Sequence, residues 1–255
     1  MTNKHGDFIW YELLTTKPEA AQSFYGSVLG WTFASAGQGG MDYRIITMAD
    51  EGVGGLMEIP SGAPMPPCWL GYIGVDDVDS AAASIKAAGG AIHMEPQDIP
   101  NVGRFAFVSD PQGVMFYVMR GWSDQPSKAF ASDAPRLGHC AWNELATTDQ
   151  KGALTFYTSQ FGWAKDGEMD MGPMGKYEFL RHGHMVGALM TKSPDMPLPA
   201  WSFYFRVPDI DSAVQTVKEK GGQILRGPHE VPGGDWVING LDTQGAAFSL
   251  VGQKK

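Results

Sequence analysis

Two glutamates stand two residues after a tryptophan, in Trp10-Tyr11-Glu12 and again in Trp142-Asn143-Glu144. The stretch from Phe8 to Thr15 alternates in the manner of a strand, which puts Trp10, Glu12 and Leu14 on one face and Leu13 and Thr15 on the other. A carboxylate on an apolar face is costly unless it is paired or hydrogen-bonded. Glu12 and Glu144 could each act as a general base with a pKa raised by burial, or anchor a cationic ligand beside the indole face. They could equally hold a backbone turn or an arginine, since structural ion pairs perturb carboxylates as readily as catalytic ones do.

The pairs belong to a repeat with a constant step of 132 residues. Phe24, Tyr25, Gly30 and Trp31 recur as Phe156, Tyr157, Gly162 and Trp163, and Trp69 recurs as Trp201. Asp79, Gly89-Gly90, Pro96 and Asp110…Gly113 recur as Asp211, Gly221-Gly222, Pro228 and Asp242…Gly245. A register that survives the loops means that one folded unit was duplicated.

Within each copy a weaker repeat is visible. The strand Phe8 to Thr15 leads into a helix for which Thr16 is the expected cap, Glu19 the capping-box partner and Gly30 the left-handed stop. The segments Met41 to Met48 and Gly54 to Ile59 read as a hairpin around Asp50-Glu51-Gly52. Trp69 to Val75 is another strand, Asp79 the expected cap of another helix, and Gly89-Gly90 its end. Short strands follow near Ile92 to Glu95, Phe105 to Ser109 and Val114 to Met119. The proline-rich stretches Pro60 to Pro67 and Pro194 to Pro199 join the halves of each copy. The expected division is a first domain over 1–122, a linker over 123–136 and a second domain over 137–255, with an α+β fold of four βαβββ units.

Composition narrows the function. The 255 residues suit two domains, and 43% hydrophobic with 18% charged residues reads as globular. A net charge of -9 argues against a nucleic-acid partner, and no apolar run approaches a membrane span. The polar start from Met1 to Asp7 lacks the core of a signal peptide, and Cys68 and Cys140 read as reduced packing residues, so a cytoplasmic location is expected. There is no P-loop, dinucleotide fingerprint or nucleophile elbow, and the 33 glycines are assigned to hairpin turns and helix ends.

The strand followed by Thr-Thr-Lys-Pro-Glu, Phe24-Tyr25…Gly30-Trp31, Val75-Asp76-Asp77-Val78-Asp79…Gly89-Gly90 and Asp110-Pro111-Gln112-Gly113 together resemble the vicinal-oxygen-chelate superfamily. That superfamily includes glyoxalase I, bleomycin-resistance proteins and extradiol dioxygenases. The Trp-x-Glu-Leu opening and the tandem domains look most like its glyoxalase-like bacterial subgroup. The resemblance implies that paired βαβββ units curl around a pocket, with metal ligands on the first strand of a unit and near the end of its last. Carried over, the first-strand positions fall on Trp10, Trp142, Leu70 and Ser202, and the closing positions on Tyr117, Ser249, Met57-Glu58 and Met190-Thr191. Tryptophan and leucine cannot coordinate, and serine and tyrosine are poor ligands for a divalent ion. Only Glu58 could survive as a ligand, so no metal and no other cofactor is expected. Standard glyoxalase I and extradiol chemistry lose their ligands with it.

The resemblance also implies a crossed arrangement in which the leading unit of one domain meets the trailing unit of the other. One pocket would then combine Trp10, Glu12, Ser202, Tyr204, Arg206 and Ser249, and suit an anionic or polar ligand unless Arg206 pairs with Glu12. The other would combine Trp142, Glu144, Leu70, Tyr72 and Tyr117. His182-Gly183-His184 marks a hairpin tip, His139 lies near a pocket rim, and His5, His93 and His229 show no metal spacing. Met57, Met115, Met119 and Met190 read as core filler. Three functions stay open. The first is metal-independent binding of a small organic molecule, in the way of bleomycin-resistance proteins. The second is a glyoxalase-like lyase or related enzyme using Glu12 or Glu144 on a small carbonyl or hydroxylated substrate. The third is a non-catalytic scaffold. A monomer is feasible because one chain supplies both partners, and a homodimer is possible.

Overall fold

The computed structural model describes residues 3–36 and 42–255. The strand start at Met41 lies outside the described residues, as do Met1 and Thr2. The first copy runs β1 (Phe8–Thr15), α1 (Pro18–Leu29), β2 (Thr32–Ser35), β3 (Tyr43–Met48), β4 (Glu51–Glu58), β5 (Cys68–Gly74), α2 (Val78–Ala87), β6 (Ala91–Ile99), β7 (Gly103–Ser109) and β8 (Met115–Gly121). The second runs β9 (Cys140–Thr147), α3 (Gln150–Phe161), β10 (Ala164–Asp170), β11 (Lys176–His182), β12 (His184–Thr191), β13 (Ala200–Val207), α4 (Ile210–Glu219), β14 (Gln223–Glu230), β15 (Trp236–Leu241) and β16 (Ala247–Gly252), with a 3-10 turn at Gly172–Met174. This is βαβββ four times over, an α+β fold as the periodicity requires.

Among the described residues two eight-stranded sheets result, with strand orders β2-β3-β4-β1-β5-β8-β7-β6 and β10-β11-β12-β9-β13-β16-β15-β14. In each unit the first strand runs parallel to the last, as β1 does to β4 and β13 to β16, and the rest of the unit is antiparallel. Among the described residues no helix is long and apolar enough to cross a membrane.

Local chemistry departs from expectation at three places. Thr16 does not cap α1: the helix starts at Pro18 behind Lys17, and the Thr16 hydroxyl donates to Gln244 instead (3.0 Å). The Glu19 carboxylate accepts a hydrogen bond from Arg44. Asp77, not Asp79, caps α2 by accepting from the Ser80 N–H at 2.7 Å, while Asp79 in the first turn pairs with Arg104. The first hairpin turns on Ala49 and Asp50, both left-handed (φ 48° and 67°), so Glu51 and Gly52 belong to β4.

Chain contacts divide the protein into two compact units, each drawing on both copies. One comprises Met1–Ile9, Gly71–Ser127 and Asn143–Trp201, the other Trp10–Leu70, Lys128–Trp142 and Ser202–Lys255. The second unit is held by Tyr25, Trp31, Trp69 and Phe205, whose rings approach to 4.9–5.8 Å. The first unit repeats this with Tyr157, Trp163 and Trp201, Phe8 lying 5.3 Å from Trp201. At the centre of each is a polar triad. Trp69 Nε1 donates to the Tyr25 hydroxyl (3.0 Å), which donates to Asp242 (3.1 Å). Trp201 Nε1 donates to Tyr157 (3.1 Å), which donates to Asp110 (3.1 Å). Burial pushes both phenols well above their usual range, and pushes both carboxyls up despite the backbone N–H groups that they accept. The repeated aromatic and Asp-x-x-Gly residues are therefore core fasteners.

The segment 123–136 is tied down on both units. Ser127 Oγ donates to the Ile9 carbonyl in the first, and Ala129 and Phe130 are buried in the second, where Glu51 holds Lys128 and Arg136.

Candidate functional site

Strand register sets three side chains abreast in each sheet. In the second copy Tyr204 on β13 stands opposite Ser249 on β16, and Ser249 opposite Asn239 on β15. The Asn239 amide reaches both neighbours, at 3.2 Å to the Tyr204 hydroxyl and 2.8 Å to Ser249 Oγ. Trp142 and Val231 pack against the cluster formed by Tyr204, Val237 and Val251. Ser249 is buried and Asn239 half-buried, and the amide nitrogen is held by the two buried hydroxyls. Asn239 was not singled out from the sequence. Its own strand does not mark it, because its role comes from Ser249 on the paired strand.

In the first copy the equivalent row is Tyr72 on β5, Tyr117 on β8 and Phe107 on β7. Here the rings stack: Tyr72 on Tyr117 at 4.2 Å and 18°, and Phe107 on Tyr117 at 4.7 Å. Tyr72 and Tyr117 are both nearly inaccessible.

The two Trp–Glu pairs are used differently. Trp10 Nε1 donates to the Tyr43 hydroxyl at 3.0 Å, and both groups lie over β4. A Cβ on Gly55 would fall 2.0 Å from that hydroxyl, and one on Gly52 would fall 3.2 Å from the Trp10 ring. Gly55 thus serves close approach within a strand and not a turn, and Gly52 leaves the Trp10 ring a snug seat. Glu12 is only 2% exposed, and its charge, after burial itself, helps to push the Cys68 thiol up to about 12. Glu144 is half-buried and accepts a hydrogen bond from the Tyr177 hydroxyl at 2.7 Å. Tyr43 and Tyr177 also escaped the sequence reading, since each lies on a neighbouring strand whose register only the folded sheet reveals. The structure puts Trp10, Glu12, Ser202, Tyr204, Arg206, Ser249 and Leu70 in one compact unit with Trp142, and Glu144, Tyr72 and Tyr117 in the other.

Arg206 is not the free cation that an anionic ligand would need, and it does not pair with Glu12. It grips Asp235 through both terminal nitrogens (3.1 and 2.6 Å), which holds that carboxyl below its usual range. Four of the six histidines are held by structural partners. His139 is buried with Nδ1 on the Lys128 carbonyl (2.7 Å), and burial lowers its pKa. His182 meets Asp7 at 3.1 Å, His5 the Gln160 carbonyl and His93 Ser109.

The family's ligand positions do not fit a metal ion. They hold indoles, the buried Leu70, a stacked tyrosine and a serine engaged by Asn239, while Glu58 is exposed at a strand end. Among the described residues no group of three His, Cys, Asp or Glu is placed to hold one.

The model of the Glyoxalase/Bleomycin resistance protein/Dioxygenase superfamily matches residues 8–118 and 136–250. The anthracycline biosynthesis protein DauV of Streptomyces sp. (strain C5) is 29% identical over 259 residues, covering 95% of this chain and 91% of that protein. The putative glyoxylase CFP32 of Mycobacterium tuberculosis (strain CDC 1551 / Oshkosh) is 47% identical over 121 residues, 47% of this chain and 46% of the relative, so the match spans about half of that protein's length. Among solved structures, the Mn(II)-bound glyoxalase from Novosphingobium aromaticivorans superposes with a TM-score of 0.65 at 17% identity, covering 98% of this chain and 82% of that one. An extradiol ring-cleaving dioxygenase from B. fuscum gives 0.68 at 16% identity, covering 99% and 74%. At such identities the likeness is one of fold.

Proposed function

The chain belongs to the Glyoxalase/Bleomycin resistance protein/Dioxygenase superfamily, and on that premise we propose that it is a small-molecule-binding member that works without a metal ion. The observation that carries this reading is the donor set: the positions that would hold a metal carry Trp10, Trp142, Leu70, Ser202, Tyr117 and Ser249. What stands there instead is aromatic, aliphatic and neutral hydroxyl side chains, with the Asn239 amide on Ser249, a composition that suits an uncharged organic ligand. The ligand-binding residues of this reading are Trp142, Tyr204 and Asn239, with Ser249 as positioning residue, and Trp10 and Tyr43 on the first copy. Tyr72 and Tyr117, closed in their own stack, take no part in it, and Arg206, with Asp235, serves as support. The similarity to anthracycline biosynthesis proteins over nearly the full chain favours a polycyclic aromatic ligand.

The test joins two measurements on untagged protein purified without chelator. Elemental analysis is expected to find no stoichiometric Mn, Fe, Ni or Zn, and an anthracycline aglycone is expected to quench tryptophan emission saturably. Stoichiometric metal together with lactoylglutathione lyase activity would sink the proposal.

A second reading is favoured by the Tyr177–Glu144 hydrogen bond, which gives a half-buried carboxylate a phenol partner in the manner of an acid–base pair. On that reading the protein is a glyoxalase-like enzyme with Glu144 as base; Glu12 is the weaker candidate because it is buried. Turnover of a carbonyl substrate that vanishes in Glu144→Gln, with binding intact, would establish it. We retain 1–122 and 137–255 as the two duplicated domains joined by 123–136, acting in the cytoplasm. A monomer suffices for this reading, since each compact unit already contains a half from each copy.

A further inference from the structure

A cleft of about 460 Å³ opens between α1 and β2, lined by Gln22, Ser23, Gly26 and Ser27 of the helix, by Phe33 of β2 and by Arg44 of β3. Its size falls among ordinary ligand sites, and it lies apart from the Tyr204–Ser249–Asn239 row. We propose that this cleft binds a small organic cation with a flat apolar body, an aryl-alkyl ammonium ion.

Gly26 is the first reason. It lies inside α1, where glycine weakens a helix relative to alanine. Packing does not require it: a Cβ there would meet nothing nearer than the Trp31 carbonyl at 3.4 Å and the Phe33 ring at 3.9 Å. What the missing side chain does is leave the groove open above the half-buried Phe33 ring.

Charge is the second. Arg44, only 14% exposed, is already occupied: Nε and Nη2 bond Asp42, Nη1 bonds Gln22 and Nη2 bonds Glu19. An anion would have to displace two carboxylates to reach it. The carboxylates themselves face water, Glu19 at 79% and Asp42 at 45%, so the exposed charge at this end is negative and an ammonium group displaces nothing. A cation over an aromatic face is attracted by the ring as well.

Divergence between the copies is the third. Glu19, Gln22, Gly26 and Phe33 correspond at the 132-residue step to Lys151, Leu154, Thr158 and Lys165. That set is cationic and carries no glycine, so one site per chain is expected.

Calorimetric titration of the intact protein at low salt decides the matter, with phenethylammonium as probe and 3-phenylpropionate as its anionic counterpart. The amine should bind at one site and the acid should not. Gly26→Leu, which fills the groove and improves helix propensity, should lower the amine's affinity at least about tenfold with no fall in Tm. Ser23→Tyr covers the groove from an exposed position and should do the same if the first variant folds poorly. Glu19→Gln should weaken binding by roughly threefold. Failure of the wild type to bind the amine, equal binding of the acid, or wild-type affinity in both groove-filling variants would each overturn the proposal. So would loss of amine binding in Asn239→Ala with Gly26→Leu unaffected, because the probe would then sit on the other site.

Discussion

Equivalent positions in the two copies have been given to opposite chemistry. At one row of three neighbouring strands the first copy places Tyr72, Tyr117 and Phe107, stacked ring on ring. The second places Tyr204, Ser249 and Asn239, joined by an amide that hydrogen-bonds on both sides. Stacking excludes ligand and water together, because each ring is covered by the next. The amide network leaves a half-buried polar group next to Tyr204, against which Trp142 packs. Duplication thus yielded one position specialised for packing and one left with hydrogen-bonding capacity, and the second is where a polar recognition event has something to use. The contrast is sharpened by what has not diverged: the Trp–Tyr–Asp triads agree between the copies to within 0.1 Å in their hydrogen bonds.

The largest expected effect comes from making the first row resemble the second. Tyr117→Ser removes the middle ring of the stack from a buried site and leaves a cavity between Tyr72 and Phe107. A loss of about 3 kcal/mol is expected, near the lower end for large-to-small aromatic substitutions. Urea denaturation followed by circular dichroism measures it. A change below about 1 kcal/mol would mean that the ring is not packing surface, and the contrast between the rows would fall.

Next come the triads, where the copies should behave alike. Tyr25→Phe and Tyr157→Phe each strip a buried tryptophan N–H of its acceptor and a buried aspartate of a donor. Each should cost about 2 kcal/mol, and the two costs should agree. Both phenols are raised above their ordinary pKa of 10.0, so their contribution is intact below pH 10.0 and is lost as pH rises through the raised values. Asp110 and Asp242 are also raised, from 3.8, so their contribution favours folding at acid pH and is lost as pH rises above 3.8 through the raised values. Stability measured across pH in the double phenylalanine variant should show a shallower alkaline decline than the wild type. Unequal costs at Tyr25 and Tyr157 would show that the shared core has diverged as well.

These contrasts explain what could be read from the chain alone. The four βαβββ units were legible because alternation, helix stops and a constant 132-residue step survive in local sequence. Cap identity was not. Pro18 fixes where α1 can start, and the Thr16 hydroxyl found a partner in Gln244, far away in sequence. Gly52 and Gly55 looked like turn residues because their reason lies in Trp10 and Tyr43, which only strand pairing brings over them. The family pattern picked out Tyr204 and Ser249, which the register sets side by side, whereas Asn239 acquires its role from the neighbouring strand. Arg206 looked available to a ligand because Asp235 lies in a connecting segment that no periodicity aligns with it.

Asn239→Ala tests the polar row directly. The variant leaves the Tyr204 hydroxyl and Ser249 Oγ without the amide, for an expected loss of about 1 kcal/mol in stability. If that row recognises a polar ligand, affinity for an anthracycline aglycone should fall by roughly tenfold, while the same probe should bind Phe107→Leu nearly as tightly as wild type. Equal losses in both variants would mean that the ligand does not distinguish the rows.

The smallest effect concerns the two tyrosines that engage the Trp–Glu pairs. Tyr43→Phe removes the acceptor of the Trp10 indole N–H, a part-buried hydrogen bond whose loss should cost about 0.5–1 kcal/mol. Gly55 already gives the ring its room, so phenylalanine fits without moving the strand. Tyr177→Phe instead withdraws a donor from Glu144, and hydrogen bonds to a carboxylate are stronger than neutral ones. Its cost should therefore exceed that of Tyr43→Phe, by about 1 kcal/mol at most because Glu144 is reached by water. Thermal unfolding of the pair of variants side by side resolves the order. The reverse order would show that Trp10–Tyr43 is the tighter lock, and would move the search for a responsive carboxylate away from the second copy.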